Sequence, residues 1–308
     1  MIYFSVVIPL YNKQDSITGT LNAVLNQSYN HYEIIVVDDG STDASLQRAK
    51  SIVSDKIHVI SKTNGGVCSA RNLGIESAKY EYIAFLDADD VWEATYLETQ
   101  AGLIDKFDKA AMWGVNFAPL IRDKEIILFT GLPEGFCDYV TDYFRLKKQS
   151  DLFCSSSVVV HKQAFAVAGL FDERIRFSED LDMWYRIILH FPVVFYDKIL
   201  VHYRHDAENR ALNRERTLTA FLPYFVDKYD SICAANKEFS YFIHTFSAAH
   251  LRLYYFGKRV GRHDAKIAVE KLRYNDIHPK YKWWYKTPYV IGWCIYKLTG
   301  LKHKISSK

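Results

Sequence analysis

The stretch Tyr82-Ile-Ala-Phe-Leu-Asp-Ala-Asp-Asp90 places an apolar run directly before a cluster of acidic side chains. Similar apolar runs rich in β-branched residues occur earlier, at residues 4–8, 34–37 and 57–60. Segments with helical spacing of apolar residues separate them, for example at residues 17–25. This alternation of strands and helices predicts an α/β fold with a Rossmann-like central sheet, parallel in its first half and flanked by helices.

Polar residues follow each predicted strand, at residues 11–12, 38–41, 62–66 and 87–90. The carboxyl ends of parallel strands lie along one edge of a sheet, and ligands of open α/β sheets bind outside that edge. We therefore expect these loops to converge on one binding site.

Asp87 and Asp89 are alternate residues at a strand end, so both carboxylates can approach one point. Paired carboxylates suit a hard divalent cation such as Mg²⁺ or Mn²⁺, which would neutralise a diphosphate. The alternative is structural: Asp89 or Asp90 would cap the helix that follows.

Residues 91–205 have a mixed pattern. It predicts helices near 93–106 and 180–190, and strands near 111–117, 125–129 and 156–160. Two further strands are expected near 193–203. From about residue 206 the chain changes to helical stretches rich in aromatic and basic residues, so we place a domain boundary there.

Composition excludes several classes of protein. The 308 residues include 22 Tyr, 19 Phe and 6 Trp, too much burial capacity for a disordered chain. The 39 basic and 36 acidic residues nearly balance, so we expect no nucleic-acid partner. The five cysteines form no Cys-x-x-Cys pair, which indicates neither a disulfide framework nor a zinc site and favours a cytoplasmic setting.

No apolar stretch approaches the roughly 20 residues that a spanning helix needs, and residues 1–9 read as a buried strand rather than a signal peptide. Residues 280–308 contain seven lysines, no acidic residue, and interleaved Trp and Tyr. This composition is typical of a segment at a membrane–water interface. Packing on the catalytic domain or a homodimer interface would also explain the aromatic residues.

Several motifs occur in a fixed order around the acidic stretch. They are SVVIPLYN (5–12), EIIVVDDGSTD (33–43), NGGVCSARNLG (64–74), GLFDE (169–173) and SEDLDMWYR (178–186). Together they resemble the family 2 glycosyltransferases, which are inverting, metal-dependent, nucleotide-sugar enzymes with the GT-A fold. The resemblance covers roughly residues 4–205. It implies a nucleotide-binding half (1–90), an acceptor half (91–205) and a helical C-terminal region (206–308).

The resemblance also implies which residues bind the donor, a nucleotide sugar whose nucleotide is expected to be UDP. The predicted nucleotide-binding residues are Pro9, Tyr11, Asp39, Gly66, Arg71 and Asp87. A carboxylate at Asp39 would accept the imide N–H of uracil, whereas Asp38 is expected to serve the turn. Arg71 would contact the base or the diphosphate; its alternative is a salt bridge to a loop aspartate.

In the second half, Asp180 matches the family's catalytic base, which removes a proton from the attacking acceptor hydroxyl. Glu179 and Trp184 are expected to border the acceptor or the donor sugar. The alternative for the acids is a negatively charged first helical turn, favourable to the helix dipole, and we expect this for Asp182.

Asp89 is the predicted metal ligand, for Mn²⁺ or Mg²⁺. Many relatives carry Tyr-Arg-x-His after the last core strand, whereas this chain reads Val201-His-Tyr-Arg-His205. His205 or His202 could join the metal, and we favour His205.

The implied acceptor is a hydroxyl of a saccharide or a lipid-linked saccharide, used in surface polysaccharide or glycan assembly by a hexosyl- or N-acetylhexosaminyl-transferase. A lipid-linked acceptor at the membrane agrees with peripheral contact between the basic aromatic segment, residues 280–308, and the inner face of the cell membrane. A homodimer interface at this segment remains an alternative.

Other functions fit less well. A Rossmann oxidoreductase needs Gly-x-Gly-x-x-Gly where residues 9–12 read PLYN. A sugar nucleotidyltransferase needs a Gly-rich, basic loop at the same place. A catalytically inactive nucleotide-sugar or saccharide-binding scaffold is the third alternative, against which the acids at 87, 89 and 180 argue.

Overall fold

The computed structural model describes residues 1–121, 124–146, 152–205, 207–209, 217–257 and 262–286. The chain forms two compact units, residues 1–214 and 215–308. The first unit is a mixed α/β structure with one central sheet, and the described residues of the second, 217–257 and 262–286, form helices and their connections. The predicted α/β class with a helix-flanked central sheet is confirmed.

The first part of the sheet is parallel. Its elements along the chain are β1 (Phe4–Leu10), α1 (Ile17–Leu25), β2 (Tyr32–Asp38), α2 (Ser45–Ser51), β3 (Ile57–Ser61), α3 (Val67–Ser77) and β4 (Tyr82–Phe85). The strands lie side by side in the order β3-β2-β1-β4. β1 and β2 are buried along their whole length, as expected for strands covered on both faces. All four strands therefore end at the same edge of the sheet.

The second part of the sheet is mixed. Its elements are β5 (Val91–Trp92), α4 (Tyr96–Lys106), β6 (Met112–Ile121), β7 (Lys124–Glu125), β8 (Cys137–Tyr139), α5 (Tyr143–Leu146), β9 (Val158–His161), α6 (Ala164–Ala168), α7 (Glu179–Ile188) and β10 (Val193–Arg204). Beyond β4 the order is β9-β6-β10-β5, with β7 on β6 and β8 on β10. β9 runs antiparallel to both of its neighbours, β4 and β6.

Two predicted features of this second part are wrong. The strand expected at residues 125–129 is reduced to the short β7, whose last residue is Glu125. The two strands expected near 193–203 are one continuous strand, β10. Its register against β6 shifts between Tyr196 and Val201, so an irregularity replaces the expected turn.

The second unit contains α8 (Asp230–Ala235), α9 (Lys237–Arg252), α10 (Arg262–Glu270) and α11 (Pro279–Lys286). Of the basic aromatic tail, the structure describes residues 280–286; the predictions for 287–308 lie outside the described residues. α11 buries Trp284 beneath the Arg252 guanidinium, 4.9 Å from the ring centroid, and leaves Trp283 49% exposed. In the described part of the chain, no helix is long and apolar enough to cross a membrane.

Candidate active site

The loops after β1 and β2 lie side by side at the carboxyl edge of the sheet. Pro9 is paired with Val37 near the ends of the two strands, and Tyr11 begins the loop that follows β1. Asp38 accepts hydrogen bonds from the Ser41 N–H (3.2 Å) and the Ser61 hydroxyl (2.9 Å). The turn role expected of Asp38 is therefore confirmed.

Asp39 is buried and organises the glycine loop before α3. Its carboxylate accepts hydrogen bonds from the backbone N–H groups of Gly65 (2.9 Å) and Gly66 (2.8 Å) and from the Lys62 ammonium (2.8 Å). Gly66 has a φ of +94°, which disfavours any residue with a Cβ. The glycine is thus required where the loop turns into α3.

The acidic turn at residues 87–90 is held by contacts that the sequence did not reveal. The Ser156 hydroxyl accepts the N–H of Asp87 (3.0 Å) and donates to the Asp90 carboxylate (2.5 Å). The N–H of Arg204 also donates to Asp90, at 3.1 Å. Burial, together with the charges of Asp89 and Asp87, raises the pKa of Asp90 well above its usual range. Asp90 is therefore the structural acid of this turn.

Asp89 forms an ion pair with Lys13, with the ammonium 2.6 Å from Oδ2. The helix expected near 93–106 begins at Tyr96, after β5, with Thr95 at its N-cap position. The alternative in which Asp89 or Asp90 caps that helix is therefore wrong.

Arg71 joins the two halves of the first unit. From α3, its buried guanidinium donates to Asp87 Oδ1 (2.7 Å) and to Glu179 Oε1 at the start of α7 (2.9 Å). The residues at 87 and 179, far apart along the chain, thus meet on one side chain. The salt bridge between Arg71 and a loop aspartate, named above as the alternative, is present in the structure. A contact between Arg71 and the nucleotide stays a prediction.

The charges around Arg71 shift the pKa values of their neighbours. Burial raises the pKa of Glu179 to about 7, and the neighbouring charge of Asp180 acts in the same direction, while Arg71 opposes both. Burial alone would lower the pKa of Arg71, but the charges of Asp87 and Glu179 outweigh it and raise this pKa. Asp180 is half-buried next to Glu179, two residues after Ser178, whose φ of +59° is uncommon outside glycine.

Asp182 and Trp184, on the same helix, lie away from the site. The buried Asp182 accepts two hydrogen bonds from Arg186 (3.0 and 2.8 Å), so its expected structural role is confirmed. Trp184 is completely buried and packs against Phe85 and Phe171. It belongs to the core behind the site, which corrects the expectation that it borders a sugar.

The two histidines near the end of β10 have different surroundings. His202 contacts the carboxylates of Glu93 (2.5 Å) and Glu125 (3.1 Å). The ring of His205 packs on that of Tyr203, with centroids 5.3 Å apart. Arg204 lies between Tyr203 and His205 and is the last residue of β10. Its backbone N–H donates to Asp90, so His205 directly follows a residue that contacts the acidic turn.

The acidic turn offers a divalent cation a small number of protein ligands among the described residues. Among the described residues, no group of three or more His, Cys, Asp and Glu side chains is arranged to hold a metal. Asp89 offers a hard oxygen ligand that is 13% exposed. Mg²⁺ is commonly held by one or two carboxylates plus substrate phosphates, and this donor set fits that kind of site.

Sequence comparison identifies relatives of this chain. An uncharacterized glycosyltransferase of Rickettsia typhi is 31% identical over 228 residues, which cover 73% of this chain and 71% of that protein. The amylovoran biosynthesis glycosyltransferase AmsB of Erwinia amylovora is 33% identical over 60% of this chain and 64% of its own.

Solved structures share the fold. Staphylococcus aureus TarS superimposes with a TM-score of 0.68 at 19% identity, covering 91% of this chain; this chain spans half of TarS. TarS 1–349 in complex with UDP-GlcNAc superimposes with a TM-score of 0.61 at 18% identity, covering 88% of this chain and 71% of that one. These neighbours confirm the predicted GT-A fold.

The family model described as "Glycosyl transferase family 2" matches residues 5–166, which include both the acidic turn and the loops after β1, β2 and β3. On this match and the relatives above, the chain belongs to glycosyltransferase family 2.

Proposed function

We propose that this protein is an inverting glycosyltransferase that transfers a sugar from a UDP-sugar to a hydroxyl of a saccharide or lipid-linked saccharide. The observation that carries the proposal is the Arg71 bridge, which brings the acidic turn at Asp87 to the start of α7, where Asp180 lies. A single displacement needs a base beside the attacking hydroxyl and a donor held within its reach, and this bridge places the two segments proposed for those roles next to each other. We place the reaction in surface polysaccharide or glycan assembly; the relative AmsB is named for amylovoran biosynthesis.

The proposed donor site lies where the loops after β1, β2 and β3 meet. The Asp39 carboxylate accepts three hydrogen bonds from the chain, and a carboxylate has about four acceptor positions. One position is thus left for the imide N–H of uracil. Pro9, Tyr11 and Gly66 border the same edge, and the TarS complex with UDP-GlcNAc supports the choice of a uridine nucleotide.

Asp180 is the proposed base. An acceptor hydroxyl is a poor nucleophile until a positioned carboxylate removes its proton, which typically contributes about 10²–10⁴-fold to the rate. Attack on the anomeric carbon opposite the departing UDP inverts the configuration and needs no covalent intermediate. Glu179 positions this segment through its ion pair with Arg71, at 2.9 Å.

Asp89 is the proposed ligand of Mn²⁺ or Mg²⁺, with His205 as the second candidate. When bound, the ion would disperse the charge that develops on the departing diphosphate. The chain's own contribution is to fix the carboxylate: Asp90, bound to Ser156 and to the N–H of Arg204, holds the turn in place.

We also propose peripheral contact with an anionic membrane through the exposed face of α11. This face, defined by Lys280, Trp283 and Lys286, carries two cations beside an indole that is 49% exposed. Cations meet anionic headgroups while indole rings settle at the interface. A lipid-linked acceptor at the cytoplasmic leaflet would be reached from such a position.

The experiment is a screen of UDP-sugars for acceptor-dependent release of UDP, repeated with Asp180→Asn. We expect the variant to bind UDP like the wild type while its turnover falls at least about 10²-fold. Lost UDP affinity would mean that Asp180 is structural or a ligand. Wild-type protein that binds UDP but releases none from any donor would instead support the inactive scaffold.

A further inference from the structure

Lys13 pairs with the predicted metal ligand, Asp89. Its ammonium lies 2.6 Å from Asp89 Oδ2 and also donates to the backbone carbonyl of Glu208. The backbone N–H of Lys13 donates to the Ser45 hydroxyl at 2.7 Å, which fixes the backbone from which the Lys13 side chain extends. Both partners of the ion pair are nearly buried, at 12% and 13% exposure, so water screens the attraction only in part.

This position has a consequence for any cation that binds Asp89. A divalent ion on that carboxylate would lie within a few ångströms of the ammonium, and two cations so close in a poorly screened site repel strongly. Lys13 and the metal therefore compete for one carboxylate.

We infer that Lys13 is the exchangeable counter-ion of Asp89. A divalent cation must displace the Lys13 ammonium from this carboxylate, and the ammonium then pairs with the arriving diphosphate. The inference rests on the proposed function, because it concerns the same metal and donor. It makes metal uptake depend on the nucleotide. Without a diphosphate, the anion near the displaced ammonium is the Glu208 carboxylate, which already accepts three hydrogen bonds from residues 15 and 16, whereas with a diphosphate the ammonium regains an ion pair.

The segment at residues 207–209 supports an exchange rather than a passive contact. The Glu208 carboxylate accepts hydrogen bonds from the N–H groups of Asp15 (3.0 Å) and Ser16 (3.1 Å) and from the Ser16 hydroxyl (2.7 Å). None of these three hydrogen bonds involves Lys13, which binds the Glu208 backbone carbonyl instead. The ammonium can thus leave without releasing the segment from the loop after β1.

The test measures Mn²⁺ binding directly, from the electron paramagnetic resonance signal of free Mn²⁺. Wild type, Lys13→Met and Lys62→Met are titrated first without nucleotide and then with saturating UDP. Lys62 is the matched control, because it pairs with Asp39 in the same cleft at 2.8 Å. Without UDP, we expect Lys13→Met to bind Mn²⁺ about tenfold more tightly than wild type and Lys62→Met to match wild type. With UDP, the gain should disappear.

Thermal unfolding and the far-ultraviolet circular dichroism spectrum verify that each variant is folded, and Lys13→Arg, which keeps the cation, should behave like wild type. If wild type binds UDP with Mn²⁺ but a folded Lys13→Met has unchanged Mn²⁺ affinity without UDP, the inference is wrong and the proposed function stands. An equal gain with and without UDP would also overturn it, because the diphosphate would not then receive the ammonium. If wild type shows no Mn²⁺-dependent UDP binding, the metal-assisted function itself fails.

Discussion

Glu179→Gln is expected to stabilise the folded protein above pH 7 and to have a much smaller effect near pH 5. The wild-type carboxyl is buried beside Asp180, and burial raises its pKa to about 7 from the usual 4.5. Between these two pH values the folded protein binds a proton that the unfolded chain has already lost. The stability of the wild type therefore falls as the pH rises through this window, and the penalty is complete above pH 7.

The magnitude follows from the two pKa values. A pKa near 7 in the folded state against 4.5 in the unfolded state corresponds to roughly 3 kcal/mol at high pH. Glutamine is neutral at every pH, and its side-chain oxygen can still accept the hydrogen bond from Arg71. The gain in the free energy of unfolding should thus grow from less than about 1 kcal/mol at pH 5 to roughly 3 kcal/mol at pH 8.5.

The assay is urea unfolding at several pH values between 5 and 8.5, followed by tryptophan fluorescence. Glu98→Gln is the control, because it removes an exposed carboxylate that hydrogen-bonds Ser28. We expect no comparable gain from it. A stability difference for Glu179→Gln that does not vary with pH, or a gain that is largest at pH 5, would refute the reasoning about burial.

Three further predictions concern the metal, the core and the membrane. Asp89→Asn should abolish the effect of Mn²⁺ on UDP binding in titration calorimetry; an effect of Mn²⁺ as large as in the wild type would contradict the ligand assignment. Gly74→Ala should lower the free energy of urea unfolding by about 1–3 kcal/mol, because its Cβ would lie 2.3 Å from a Val7 methyl on β1. Gly102→Ala, where a Cβ meets nothing within 4 Å, should be neutral or stabilising by up to about 1 kcal/mol; equal losses at both glycines would contradict the packing argument. Reversing the charges and replacing the indole on the exposed face of α11 (Lys280→Glu, Trp283→Ser, Lys286→Glu) should reduce sedimentation with anionic liposomes, and an unchanged distribution would count against membrane contact.

The first half of the sheet was predictable because each buried strand is a short run of apolar residues between polar loops. The strand expected at 34–37 is β2 (Tyr32–Asp38), and the one at 57–60 is β3 (Ile57–Ser61). In the second half, Asp197 and Lys198 resemble a turn between two strands. They instead lie inside β10, where the irregular register lets polar residues sit within a continuous strand.

The residues of the candidate site could be predicted only where they belong to a sequence motif of recognisable chemical function. The motifs assigned Asp87 to the nucleotide and Glu179 to the acceptor or the donor sugar, and Arg71 joins the two segments. Ser156 and Lys13 carry no such signal. Ser156 binds an acid 66 positions away, and Lys13 binds one 76 positions away, so neither role can be read from local spacing.

The predicted donor-binding acids share one electrostatic feature: each is paired with a cation from another segment. Asp39 pairs with Lys62, Asp89 pairs with Lys13, and Arg71 serves both Asp87 and Glu179. Because these pairs are largely buried, an acid that lost its cation would be strongly destabilised unless a new positive charge replaced it. A diphosphate with a divalent ion brings both signs of charge together. When the diphosphate and its divalent ion bind, each acid would therefore exchange one positive partner for another within a nearly neutral site. Before the donor arrives, the Lys and Arg side chains hold these acids in place.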